Sequence, residues 1–138
     1  MTARARAGRD RNLVASARRV RAQAYAPYSK FKVGAALRRR DGAVFAGCNV
    51  ENASLGAAIC AERGAVLQAV AAGMRKGELE SIAIYTAAAR ETPPCGLCLQ
   101  VLVEFGPRAR ILLAGPRRLR ETSLRELLPE PFTDFRRR

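Results

Sequence analysis

Two apolar periodicities alternate along this chain, and their order limits the fold more than any other feature. From Asp10 onward Leu13, Val14, Ala17, Val20 and Ala24 recur at helical spacing, with Arg18, Arg19 and Arg21 largely off that face, and Pro27 is expected to end the helix. Phe31, Val33, Ala35 and Leu37 then alternate at period two, which predicts a strand with one buried face. Asp41-Gly42 supplies a tight turn, and Ala43 to Cys48 reads as the returning strand of a hairpin. Residues 49–58 are polar and small and suit a loop; a helix is expected from about Ile59 to Ala72, closed by Gly73. Ser81 to Thr86 reads as a buried strand. Thr92-Pro93-Pro94 opens another helix that stops at Gly106-Pro107, and Arg110 to Ala114 is one more buried strand. Ser123 and Glu126 have capping-box spacing ahead of Leu127 and Leu128, and Pro129 stops this last short helix.

Strands interleaved with helices in this order point to the α/β class, as a three-layer α/β/α sandwich on a mixed sheet of about five strands. At 138 residues and 49% apolar composition the chain supports one domain with a real core, expected over residues 10–135. Tryptophan is absent, so Ala, Val, Leu and Ile must fill most of that core. Residues 1–9 lack periodicity and are expected to be a frayed basic arm, and residues 136–138 a basic tail.

Charge is placed unevenly: residues 1–40 hold twelve Lys or Arg against Asp10 alone, which accounts for +11 of a net +13. Such a segment can bind polyanions. No aromatic residues interleave with the arginines as stacking platforms, and Arg outnumbers Lys 22 to 3 throughout, so a nucleic-acid partner is not expected. No run of about 18 apolar residues exists to span a membrane. The N-terminal charges are followed by no apolar stretch of a secretory signal, and a cytoplasmic location is expected.

The sequence contains no histidine, which excludes an imidazole base, a histidine triad and a histidine-ligated metal. Its four cysteines, in a chain expected to meet a reducing compartment, favour thiol or metal chemistry over disulfides. Cys95 and Cys98 form a CxxC pair behind two prolines at an expected helix start, where both sulfurs share one face and the positive helix end favours thiolate. Cys60 sits where another helix begins. Two helix N-termini presenting thiolates to one place would suit zinc. Three other readings remain open: a four-thiolate structural site that adds Cys48, a metal-free redox CxxC, and small buried hydrophobes.

Glu62 sharpens the pattern. It can face the same pocket as Cys60 only if Cys60 lies at or before the first turn of its helix, because successive residues rotate by about 100°. There a carboxylate could exchange protons with a water activated by the metal. Arg63, three residues past Cys60, could offset the negative charge of a three-thiolate ion. Taken singly, Glu62 is also an ordinary first-turn acid and Arg63 an ordinary surface arginine.

Cys60-Ala61-Glu62 with Pro94-Cys95-x-x-Cys98 resembles the zinc-deaminase signature in an all-cysteine form. With Phe31 to Ala36 (FKVGAA), Gly47 to Ser54 (GCNVENAS), Cys60 to Arg63 (CAER) and Leu127 to Phe132 (LLPEPF), the chain is similar to the small homotetrameric cytidine deaminases from about residue 12 to residue 132. The resemblance implies one zinc ion per chain on Cys60, Cys95 and Cys98. It implies Glu62 as proton shuttle, with Arg63 beside the cysteines. It also implies a nucleoside site in which Asn49 and Glu51 hold the ribose hydroxyls, Phe31 packs on the pyrimidine, and backbone near Ala61 and Cys95 fixes the ring. Phe132 would reach a neighbouring subunit's site in a homotetramer. The implied reaction is hydrolysis of cytidine or deoxycytidine to the uridine and ammonia, in pyrimidine salvage. The alternatives are a deaminase of a modified cytosine nucleoside such as blasticidin S, and an RNA-binding or RNA-editing deaminase. Leu55 and Leu99 depart from the family pattern, standing where many members have an aromatic residue and an arginine.

Overall fold

The computed structural model describes residues 1–136. Five strands form one sheet: β1 (Val33–Arg39), β2 (Val44–Cys48), β3 (Leu79–Thr86), β4 (Arg110–Gly115) and β5 (Arg118–Ser123), in the order β2-β1-β3-β4-β5. Only β3 and β4 run parallel, and every other neighbouring pair is antiparallel. The mixed sheet follows from the connections. Hairpins join β1 to β2 and β4 to β5, while a helix returns the chain from β3 to a parallel β4.

Helix α1 (Ala3–Arg21) covers one face of the sheet; α2 (Ala61–Ala71), α3 (Gly96–Phe105) and the short α4 (Leu124–Leu127) cover the other. The alternation along each strand divides the core accordingly. Ala36, Ala83, Tyr85, Leu112 and Ala114 pack with Leu13 and Ala17 of α1. Ala35, Leu37, Ile82, Ile84, Ile111 and Leu113 pack with Val66, Leu99 and Leu102 on the opposite side. The three-layer α/β/α sandwich expected from the sequence is the observed architecture.

Several expectations need correction. Residues 3–9 are not a frayed arm but the first two turns of α1. The Thr2 hydroxyl caps that helix by accepting the Ala5 N–H at 3.1 Å. Arg6 then pairs with Glu121 at 2.7 Å and Arg9 with Glu80 at 3.0 Å, so carboxylates far along the chain hold a segment whose own sequence has no apolar stripe. At its other end α1 stops at Arg21, well before Pro27, because the backbone of Tyr25 leaves to bridge Val50. Strand β1 begins at Val33, leaving Phe31 in the preceding loop, and it is buried on both faces rather than one, since it lies inside the sheet with helices on either side. Strand β5 has no apolar run to announce it: as an edge strand it is mostly exposed. Of the basic tail, Arg137 and Arg138 lie outside the described residues.

Elsewhere the local chemistry acts as read. The Asp41-Gly42 turn links β1 to β2, with Asp41 Oδ1 accepting the Ala43 N–H at 3.0 Å. Ser123 caps α4 by accepting the Glu126 N–H at 3.2 Å, but the Glu126 carboxylate accepts from the Thr122 hydroxyl instead of returning to the cap backbone.

Candidate metal centre and cleft

Cys60 is the N-cap of α2 and Cys95 the N-cap of α3; each has extended backbone angles, and neither side chain makes a capping hydrogen bond. The first-turn N–H groups of both helices are thus left to favour negative charge at one place. Helix α2 reaches that place because β2 passes very close beneath it. A Cβ at Gly47 would stand 2.3 Å from the Ala65 nitrogen and 2.6 Å from the Ala61 carbonyl oxygen, so only glycine admits this approach. Helix α3 starts at Gly96, a few residues later than Thr92-Pro93-Pro94 suggested, which leaves Cys95 at the cap and puts Cys98 one turn in, buried.

The three sulfurs lie within 4.8 Å of one another, and Cys60 Sγ is 3.9 Å from Cys95 Sγ. Two sulfurs bound tetrahedrally to zinc at about 2.3 Å stand about 3.8 Å apart, so the Cys60–Cys95 pair already has the spacing of zinc ligands and Cys98 lies within reach of the same ion. The donor set fits the ion as well, since soft thiolates select zinc over harder cations. Cys48 is not part of this cluster among the described residues, which removes the four-thiolate reading.

The titration of these groups reflects their crowding. Burial pushes the Cys98 thiol up, reinforced by the charges of Glu62, Cys60 and Cys95. Burial also works to raise Cys95, but the Cys98 and Leu97 N–H groups at the start of α3, with the neighbouring Cys98 and Cys60 thiols, outweigh it and hold that thiol below its ordinary range. Arg63 donates to Cys60 Sγ at 3.5 Å, and that bond raises its own affinity for its proton. Leu99 is buried in the core, so Arg63 is left to compensate charge beside the sulfurs.

Glu62 is only 5% exposed, in the first turn of α2. Burial raises its carboxyl above the ordinary range, opposed by a hydrogen bond from its own backbone N–H, one from the Cys98 thiol and the charge of Arg63. The condition set by the sequence is met: with Cys60 at the cap, Glu62 and the cysteine share one pocket.

That pocket is a cleft of about 290 Å³ lined by Phe31, Val33, Asn49, Glu51, Cys60, Ala61, Glu62 and Cys95, together with Ser29, Thr92 and Pro93. Backbone bonds knit its walls together. Val50 and Ile59 exchange two hydrogen bonds of 2.9 Å, Tyr25 N–H donates to the Asn49 carbonyl at 3.0 Å, and Glu51 N–H donates to the Tyr25 carbonyl at 2.8 Å. Segments 24–33, 49–51 and 59–62 are thereby fixed side by side. Asn49 also grips the loop before β1, accepting the Val33 N–H and donating to the Phe31 carbonyl, both at 2.8 Å. Glu51 accepts the N–H groups of Tyr28 at 2.9 Å and Ser29 at 3.1 Å and the Ser29 hydroxyl, and that hydroxyl above all lowers its pKa.

Every expected site residue but one is in this cleft or against its cysteines. The exception is Phe132, which lies in a separate groove beside Val101, Glu104 and Phe105 of α3, with Gln100 bonded to its backbone. Leu55 is 80% exposed on a short 3₁₀ turn (Leu55–Ala57). Sequence reasoning missed Ser29 and Thr92. A turn signal at Pro27-Tyr28-Ser29 could have flagged the first, and nothing marks the second.

The chain matches the model of the cytidine and deoxycytidylate deaminase zinc-binding region over residues 8–114. It is 42% identical over 123 residues to a cytidine deaminase of Halalkalibacterium halodurans, covering 88% of this chain and 92% of that one. It is likewise 42% identical over 111 residues to a cytidine deaminase of Mycobacterium tuberculosis, covering 80% of each. The crystal structure of a cytidine deaminase from Burkholderia pseudomallei superposes with a TM-score of 0.84 at 47% identity, covering 96% of this chain and all of that one. A zinc-binding region that spans most of the sequence, relatives similar over most of their length and a shared fold agree: the chain belongs to the cytidine and deoxycytidylate deaminase family.

Proposed function

We propose that this protein hydrolyses the 4-amino group of cytidine and deoxycytidine, giving the uridine and ammonia, with one zinc ion held by Cys60, Cys95 and Cys98. The observation that carries the reading is the joining of that thiol cluster to a buried carboxylate, Glu62, at the base of a cleft whose far wall is Phe31, Asn49 and Glu51. Bound zinc supplies a Lewis acid and brings the pKa of a water to about 7. Glu62 accepts the proton of the attacking water and delivers it to N3 of the ring, which makes C4 electrophilic. It then carries a second proton to the amino group as ammonia leaves, so the carboxylate ends as it began. Arg63, bonded to Cys60, limits the negative charge on the sulfurs. Phe31 offers an apolar face to the base, and Ala61 closes the cleft beneath it.

Asn49 and Glu51 suit a sugar hydroxyl because each retains hydrogen-bonding capacity. One amide N–H and one carbonyl lone pair of Asn49 are free of the protein bonds described, and Glu51 has one of about four acceptor positions left. A single hydroxyl can accept from the first and donate to the second. The working unit in this reading is a cytoplasmic homotetramer acting in pyrimidine salvage, with Phe132 completing the cleft of a neighbouring subunit. Its place outside the cleft of its own chain supports a role in trans.

The test is uridine formation from cytidine by the zinc-loaded protein and by Glu62→Gln. We expect turnover in the wild type and a loss of about 10²-fold or more in the variant, with zinc content unchanged. Full turnover by Glu62→Gln would refute the proton shuttle.

A further inference from the structure

The loop before β1 is held by one small group. The Ser29 hydroxyl donates to Glu51 Oε2 and accepts the Phe31 N–H at 3.0 Å, while the Ser29 N–H donates to Glu51 Oε1 at 3.1 Å. Lys30, between Ser29 and Phe31, has φ +59°, a left-handed conformation that a lysine keeps only when its surroundings impose it. Those constraints are visible: Lys30 N–H donates to the Ala26 carbonyl at 3.0 Å, and Ser29 and Asn49 hold Phe31 from either side.

We infer that Ser29 is a positioning residue whose hydroxyl ties the carboxylate of Glu51 to the backbone of Phe31, so that the sugar wall and the base wall of the cleft are set as one unit. The inference rests on the cytidine reading of the cleft and extends it. Three acceptor positions of Glu51 are used on residues 28 and 29, and the remaining one can be aimed at a sugar hydroxyl only while the Ser29 bond fixes the carboxylate plane. Without that bond the carboxylate keeps its charge and its two N–H donors but can rotate about them. Glu51 would then lose its orientation toward the sugar, and Phe31 its link to it.

The experiment compares cytidine with 2′,3′-dideoxycytidine, which lacks the 2′ and 3′ hydroxyls of the sugar and keeps the 5′, on the zinc-loaded wild type, Ser29→Ala and Ser29→Thr. The readout is the ratio of kcat/KM for the two nucleosides, which a change in folded fraction does not move. Ser29→Ala is expected to shrink the wild-type ratio about tenfold or more, chiefly through KM for cytidine. Ser29→Thr, which keeps the hydroxyl on an exposed loop, is expected to preserve it. An unchanged ratio in Ser29→Ala would overturn the inference, as would an equal collapse in both variants or a wild type indifferent to the hydroxyls. A wild type that turns over neither nucleoside would instead bring down the functional reading itself.

Discussion

A methyl group added at Gly47 would collide with the backbone of α2 at three points: 2.3 Å from the Ala65 nitrogen, 2.6 Å from the Ala61 oxygen and 2.7 Å from the Gly64 carbonyl carbon. Ordinary contact for a Cβ begins near 3.4 Å, so in Gly47→Ala the first two turns of α2 must retreat by about 1 Å. None of the obstructing atoms can swing aside as a side-chain end could. Overpacking of this kind costs about 1–3 kcal/mol, or roughly 3–12 °C in melting temperature for a domain of this size. The chemistry suffers more. Cys60 moves with its helix, and its sulfur, now 3.9 Å from that of Cys95, leaves the spacing that a tetrahedral zinc requires. A misplacement of 1 Å is worth about 10²-fold in rate. Melting of the chelated protein, zinc stoichiometry and cytidine turnover measure the three effects separately. Gly8→Ala is the control: in α1 the nearest atom to its added Cβ is 3.9 Å away, and alanine in place of glycine within a helix stabilises by up to about 1 kcal/mol. If Gly47→Ala melts within a degree of the wild type and keeps its zinc and its rate, close approach of β2 does not position the site.

Cys95→Ala should lose zinc on metal analysis and weaken the thiolate-to-cobalt absorption of the cobalt-substituted protein, whereas Cys48→Ala, outside the cluster, should retain a full complement; equal retention by both would refute the ligand set. Glu121 gives a pH dependence. Hydrogen bonding to Arg110 above all holds its carboxyl below the ordinary value of 4.5, so the stabilisation is present above that value and is lost as pH falls through the depressed pKa. Glu121→Gln should therefore melt lower than the wild type near neutrality, and the difference should narrow in acid; a constant difference would contradict the linkage. The pairing of Glu121 with Arg6 places the weakened contact at the start of α1, where hydrogen exchange should quicken first.

Some of this protein is written in short stretches of sequence. The alternation of periods two and 3.6 determines which segments are strands and helices and hence the layered α/β class, because each period matches one way of turning an apolar face to a core. The cysteines and Glu62 were legible for a similar reason: a ligand three residues from its partner, or an acid two residues past a helix cap, is placed by local geometry alone. Tertiary structure decided the rest. Residues 3–9 are helical because Glu80 and Glu121, more than seventy residues away, pair with their arginines. Strand β5 forms because β4 offers it an edge, with little apolar pattern of its own to give. Phe31 left its expected strand because Ser29 and Asn49 hold its backbone in a loop. That Ser29 lies in the cleft at all depends on Glu51, brought across by the bridges from Tyr25 to Val50 and from Val50 to Ile59. Local periodicity reports what a segment can bury. It carries no record of which distant donor or carboxylate will satisfy that segment's polar groups, and those long-range bonds complete the cleft.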